Sequence, residues 1–495
     1  MARCNVVKRF LTLSIVVCLS VAGNSARAAT PNILFLHADD QRPDTIAALG
    51  NPAIRTPTLD ALAARGLAFQ NAYNFGGNSG AVCAPSRNMM LGGKSFFHYS
   101  RLVHPKSGDV FQPSANDPAA SEKVASKLAA GYKWDILAPG EPPNFPLSLQ
   151  AAGYQTYHHG KRGNTATHIQ ARFEINKYLQ NDEQERLSGE PGREIVDEAI
   201  TFLKSERDTK RPFFMYLAFG NPHDPRVASA AYQAQYQTDA IPLPKNYLPL
   251  HPFNNGELAV RDERLAAWPR TEQEIRKHLH DYYATITAFD RHLGRLLEQV
   301  RALNLEGETI VIFSADQGLA MGSHGLMGKQ NLYEHSTGAP LVFAGPGIRS
   351  GRTSAMVYLF DIYPTVCELV GAASPPGIDG KSFAKVLSGE TTTHRDLIFC
   401  AYQGVQRSLR DERYKLLRYP RINRSQLFDL SADPDELNDL AAEPAQKERI
   451  EKMLAEMKRQ QQVFGDWMPL ETDKPDAETF DFTKVPPAEP KKKKR

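Results

Sequence analysis

"NILFLHADDQ", Asn32–Gln41, is the stretch that decides how this chain folds. From Ile33 to Leu36 it is apolar at every position instead of every second one. That is the pattern of a strand buried on both faces, as in a parallel sheet covered by helices. The run then ends abruptly in polar residues. Ligands of open α/β sheets bind beyond the carboxyl ends of the strands, so Asp39 and Asp40 stand where chemistry is expected.

Further strands can be read downstream, the last three of them of the same buried type. "GLAFQNAY" starts at Gly66, "GYQTYHH" at Gly153, "FFMYLAFG" at Phe213, "ETIVIFSAD" at Glu308 and "PLVFAGPG" at Pro340. Between them, "TPTLDALAARG" (Thr56–Gly66) has the Thr start, early Pro and closing Gly of a helix. Thr271–Leu303 reads as one long amphipathic helix. Strands alternating with helices indicate an α/β fold with a large mixed, mostly parallel sheet flanked by helices.

From about Lys381 the pattern changes. Arg395–Tyr419 and Gln426–Leu440 alternate like antiparallel strands, and a final helix runs from Pro444 to about Gln462. The expected organisation is therefore a main domain over 29–380 and a smaller α+β subdomain with an antiparallel sheet over 381–465. An extended, basic-ended tail over 466–495 follows.

Residues 1–28 read as a signal peptide. Arg3, Lys8 and Arg9 precede the apolar run Phe10–Gly23, and Ala26-Arg27-Ala28 offers a cleavage site. The run is shorter than the roughly 20 apolar residues of a membrane span. The mature chain is thus expected to lack a transmembrane segment and to be exported, periplasmic or secreted. Setting aside Arg3, Lys8, Arg9 and Arg27, and then the five basic residues Lys491–Arg495, turns the net charge of +3 into −6 for the body. The basicity belongs to the ends, which gives no argument for nucleic acid.

Export also sharpens the cysteine count. Cys83, Cys367 and Cys400 remain after cleavage, so at least one thiol lacks an intramolecular partner. Cys367 lies in an apolar helix-like run; whether it pairs with Cys400 is open. Cys83, in "CAPSR", is the thiol that needs explaining.

Two further strands end in loaded sequence. "SADQG" supplies Asp316 and Gln317, and "NPHDP" supplies His223 between prolines. Adjacent buried carboxylates repel unless a cation joins them. Asp39, Asp40 and Asp316 with the Gln317 amide oxygen form an all-oxygen set that favours Ca²⁺, with Mg²⁺ second, over zinc. Lys161, after "GYQTYHHG", and Lys329, in "GSHGLMGKQNLYEH", are singly no more than ordinary lysines.

Together these motifs resemble the type I sulfatase family within the alkaline phosphatase superfamily, over about residues 31–465. "CAPSR" matches that family's Cys-x-Pro-Ser-Arg signature, and the other motifs fall in the family's order. The resemblance implies an alkaline phosphatase-like fold and a sulfuric ester hydrolase. It also implies that Cys83 is converted to formylglycine by a formylglycine-generating maturation enzyme before folding, and that residue 83 joins the metal ligands. One hydroxyl of the hydrated aldehyde would attack sulfur, and the other would later expel sulfate. Arg87 would hold residue 83. Lys161, His223, His324 and Lys329 would contact the substrate, with charge stabilisation as the main catalytic effect. The implied substrate is a sulfated saccharide.

One departure stands out. Many members follow the strand-end lysine with Trp-His, whereas this chain reads "GKRGNTATH", with Gly163 at the histidine's place. His159, Asn164 and His168 are the candidates to replace it. Two readings compete with the sulfatase: a phosphonate monoester or phosphodiester hydrolase with the same machinery, and a non-catalytic sulfated-glycan-binding protein. Specificity is expected in long loops, among them "PLHPFNNGELAVRDERLAAWPR", Pro249–Arg270.

Overall fold

The structure, a computed structural model, describes residues 1, 30–373 and 375–485. The leader beyond Met1 and the Lys491–Arg495 run lie outside the described residues. Eight strands build the main sheet: β1 Asn32–Ala38, β2 Leu67–Tyr73, β3 Gln155–Gly160, β4 Ile175–Tyr178, β5 Phe213–Ala218, β6 Thr309–Ala315, β7 Leu341–Ala344 and β8 Gly351–Tyr358. Their spatial order is β8-β2-β7-β6-β1-β5-β3-β4. Strand β1 runs parallel to β6 and β5, β5 to β3, β3 to β4, and β8 to β2. Only β7 runs antiparallel to its neighbours, so the sheet is mixed and mostly parallel.

The continuous apolar runs have a direct cause. Every residue of β1, β3, β5 and β6 is buried. Successive side chains point to opposite faces, so Ile33 and Phe35 join one hydrophobic cluster while Leu34 and Leu36 join the other. Helices α1 Pro57–Arg65, α2 Cys83–Gly92, α3 Arg193–Thr201 and α4 Glu272–Ala302 flank this sheet. Helix α4 starts where the sequence placed it, with the Thr271 side chain accepting from the Glu274 amide.

The second sheet is an antiparallel meander of β9 Ile398–Tyr402, β10 Gln406–Arg410, β11 Tyr414–Tyr419 and β12 Arg424–Asp429. Helix α5, Lys447–Phe464, buries Met453, Met457 and Phe464. Strand β9 also pairs with Gly76–Gly77, tethering the segment that leads into α2. Gly76 has φ of 100°, and a Cβ there would run into the Ala401 carbonyl, so only glycine fits.

Two features escaped the sequence. Strand β8 begins with exposed residues and shows no continuous apolar run. A small sheet of three very short strands, Arg101–Val103, Val110–Phe111 and Lys133–Asp135, occupies a region with no strand signal. Just beyond residue 465 the chain still makes contacts with the body. Asp466 pairs with the buried Arg407 at 2.6 Å, and the Trp467 ring stacks parallel to Trp134. Cys83, Cys367 and Cys400 are all free, buried thiols. Among the described residues, no helix is long and apolar enough to cross a membrane.

Candidate active site

Four neighbouring parallel strands deliver their carboxyl-end residues to one place. The β1–β6 register pairs Ala38 with Ala315, which sets Asp39 and Asp316 side by side. The β3–β5 register pairs Gly160 with Ala218, bringing Lys161 beside the chain that leaves β5 for His223. Helix α2 starts at Cys83 and is buried along its whole length, with Arg87 one turn later on the same side. The loop from Gly318 to Tyr333 supplies Lys329.

Cys83 lies at the centre of this convergence. Its Sγ is 3.0 Å from Asp39 Oδ1, 3.0 Å from Gln317 Nε2 and 3.2 Å from Lys329 Nζ. The donor atoms of Asp39, Asp40, Cys83 and Asp316 all lie within 4.8 Å of one another. Lys329 Nζ is 2.7 Å from both carboxylate oxygens of Asp40, and the Lys161 ammonium is bonded to Asp39. Arg87 donates through Nε to Asp316 Oδ2 at 2.9 Å and through Nη2 to the Phe219 carbonyl at 3.0 Å. His223 Nε2 is 3.7 Å from Asp40 Oδ2, and its Nδ1–H donates to the Asp224 carbonyl at 2.7 Å.

Counted at formal charge, the three buried carboxylates are balanced by three basic side chains. Burial raises Asp39, but Lys161 and Arg87 outweigh it and hold this carboxyl well below the usual range. Burial and the neighbouring Asp39 charge push Asp316 up to about 7. Burial, then Asp316 and Asp39, push the Cys83 thiol up, so the surrounding side chains do not by themselves generate a thiolate. Burial and Lys329 lower His223, leaving its imidazole neutral.

The donor set fits a hard divalent cation. It is all oxygen apart from residue 83. Gln317 supplies a further clue: its Nε2 donates to Asp40 Oδ1 at 2.6 Å, while its buried Oε1 has no partner. Turning this amide over about its Cγ–Cδ bond exchanges the two ends and brings the unpartnered oxygen to the carboxylates, where a cation would satisfy it.

His324 is the one expected site residue that the structure does not bring into this cluster. It stacks on Tyr333 at 3.9 Å, donates from Nε2 to the Glu436 carbonyl and faces His335 at 3.3 Å. Nor does a replacement for the missing histidine emerge. Asn164 and His168 are exposed, and Arg162 and Gly163 are held through their amides by Asp182. His159 is buried near Lys177 and Glu198.

Sequence reading missed the layer behind the cluster. Arg261 binds Asp224 and Asp262, and Gln330 Nε2 donates to Asp262 Oδ2 and to the Gly80 carbonyl. These contacts join distant segments of chain, and no local pattern announces them.

A buried cluster of carboxylates and basic side chains around one helix-start residue suits the hydrolysis of an anionic ester, and comparison with known proteins gives the class. Residues 31–372 match the Sulfatase family, and residues 322–463 match the C-terminal region described as N-sulphoglucosamine sulphohydrolase. The chain belongs to the sulfatase family and is a sulfuric ester hydrolase with a metal-binding site. It is 26% identical to an N-acetylglucosamine-6-O-sulfatase of Bacteroides thetaiotaomicron, covering 87% of this chain and 86% of the relative. A solved structure bound to its substrate D-glucosamine-2-N,6-O-disulfate aligns with a TM-score of 0.69 and 22% identity, over 88% of this chain and 98% of that one. A phosphonate monoester hydrolase from Silicibacter pomeroyi has the same TM-score at 19% identity, over 88% and 96%. At such identities these two structures share the fold.

Proposed function

We propose that this chain is an exported sulfatase that removes sulfate from a sulfated saccharide, with Cys83 converted to formylglycine and one Ca²⁺ at the strand ends. The observation that carries this reading is the convergence of Asp39, Asp40, Cys83 and Asp316 within 4.8 Å, backed by Lys161, Lys329 and Arg87. The orphaned Gln317 oxygen supports the ion's ligand set: Asp39, Asp40, Asp316, Gln317 and residue 83. So many protein oxygens in a buried site leave little room for the water shell that Mg²⁺ retains. When bound, the cation polarises the reacting oxygens and activates the nucleophile, which formylglycine supplies in its hydrated form.

The other side chains do the rest. A divalent cation added to a formally balanced cluster leaves a net positive field, suited to an anionic sulfate ester. Lys161, held on Asp39, and Lys329, held on Asp40 beside position 83, bind sulfate oxygens and stabilise the charge that develops on them. Arg87, tied to Asp316 and to a strand-end carbonyl, orients that carboxylate and the start of α2. His223 donates Nδ1–H to the Asp224 carbonyl, so its Nε2 is the atom that exchanges a proton with the leaving alcohol oxygen.

The sugar class is supported by the relatives, one named for N-acetylglucosamine-6-O-sulfate ester cleavage and one bound to a disulfated glucosamine. The test is release of inorganic sulfate by matured enzyme from a panel of glucosamine, galactose and uronic acid sulfates, beside phenyl phosphonate monoesters. The expected result is at least one sugar sulfate turned over faster than any phosphonate, and no turnover by Cys83→Ala. Faster phosphonate hydrolysis would assign the alternative activity. Tight sulfated-sugar binding without any sulfate release would assign the glycan-binding one.

A further inference from the structure

Resting on that sulfatase reading, we propose that Arg261 is a positioning residue that locks the His223 and Lys329 sides of the site to one another. It lies in the long segment between β5 and α4, 37 residues beyond Asp224. Its Nη1 and Nη2 donate to the two Asp224 carboxylate oxygens at 2.7 and 2.6 Å. Its Nε donates to Asp262 Oδ1 at 2.8 Å. One guanidinium therefore bridges two carboxylates.

Each carboxylate stands behind one group at the reaction centre. The Asp224 carbonyl accepts from His223 Nδ1 at 2.7 Å, and its carboxylate lies 3.3 Å from the same nitrogen. On the other side, Asp262 Oδ2 is 3.9 Å from Lys329 Nζ and accepts from Gln330, which also binds the Gly80 carbonyl three residues ahead of Cys83. Arg261 thus ties the proton-exchanging imidazole, the sulfate-facing ammonium and the approach to position 83 into one frame.

The electrostatics give the bridge a second consequence. Asp224 and Asp262 are 13% and 10% exposed, against 49% for Arg261. Without the guanidinium, two nearly buried negative charges would face an incoming anion, and Asp262 would compete with it for Lys329. A lysine would restore charge but not the fork that serves two carboxylates at once. Because the Arg261 side chain is half exposed, its replacement opens no cavity in the core, and the melting temperature reads the cost of leaving the two carboxylates unpaired.

The experiment measures full-length, matured enzyme and its Arg261→Met, Arg261→Lys, Asp262→Asn and Arg261→Met/Asp262→Asn variants on aryl sulfates from 4-nitrophenyl to unsubstituted phenyl sulfate. Melting temperature and formylglycine content are read for each. Arg261→Met is expected to lose about 10²-fold in kcat/KM. The loss should grow toward phenyl sulfate, whose poorer leaving group depends more on His223. Arg261→Lys should fall between, and the double variant should exceed Arg261→Met several-fold because the carboxylate competing for Lys329 is gone. Equal losses on every leaving group without rescue, or no loss, would overturn the proposal while leaving the sulfatase reading standing. A wild-type enzyme that carries formylglycine but cleaves no sulfate ester would overturn both.

Discussion

Lys329 and Asp40, 289 residues apart in the chain, meet with the ammonium 2.7 Å from both carboxylate oxygens and both side chains only 2% exposed. Removing one member of such a pair strands the other. Lys329→Met is expected to lower kcat on 4-nitrophenyl sulfate by about 10²–10³-fold. The metal-free variant should lose about 3–5 kcal/mol of stability, the cost of an unpaired buried charge. Excess Ca²⁺ should recover part of that stability but not the rate. Thermal melts with and without Ca²⁺, read beside the kinetics, check both parts.

Metal removal provides a readout independent of turnover. Chelation should lower the melting temperature of wild type, and added Ca²⁺ should restore it in proportion to its binding. Gln317→Leu deletes the amide whose buried oxygen has no partner. It should shift the Ca²⁺ midpoint of that stabilisation upward about tenfold or more, which is ~1.4 kcal/mol. An unchanged midpoint would exclude Gln317 from the ligand set.

Stability should fall in acid for a reason unrelated to catalysis. Burial, the leading cause in each case, pushes His251 down to about 3 and His324 down to about 4. Both folded values lie below the unfolded value of about 6.5, so the unfolded state takes up protons first as pH drops. The neutral imidazoles' contribution is complete above about pH 6.5 and is lost on the way down to about pH 3–4, each costing about 1.4 kcal/mol per unit. Urea midpoints at about pH 7.5 and 5.5 should show that drop, and His251→Gln should make it smaller.

The segment after α5 should be structural. Arg407 is fully buried, its Nε and Nη2 donate to Asp466 at 2.6 and 3.0 Å, and Gln461 donates to the same carboxylate. Asp466→Ala should cost about 3–5 kcal/mol. Truncation after Gly465 should destabilise at least as much. Differential scanning of the three chains tests this.

Legibility in the sequence followed physical locality. Strands β1, β5 and β6 could be read because burial on both faces demands unbroken apolar runs, and their ends could be read because Asp39-Asp40 and Asp316-Gln317 interrupt those runs abruptly. Strand β8 could not, since its first half is exposed at a sheet edge. The family resemblance, not periodicity, joined Lys161 and Lys329 to Cys83. His324 was drawn in by its place near Lys329 in the chain, but its loop turns it onto Tyr333 and Glu436 instead. Arg261 and Asp262 stayed hidden because their partners lie on other segments, where sequence spacing carries no signal.

The central claim is that Cys83 does not act as a thiol, and mass spectrometry of the proteolytic peptide carrying residue 83 tests it most directly. The protein should be produced with a formylglycine-generating enzyme and handled in full length. The expected result is a peptide bearing the aldehyde or its hydrate in place of the thiol, in a proportion that tracks specific activity. Full sulfatase activity in protein whose residue 83 is entirely unmodified cysteine would contradict the account.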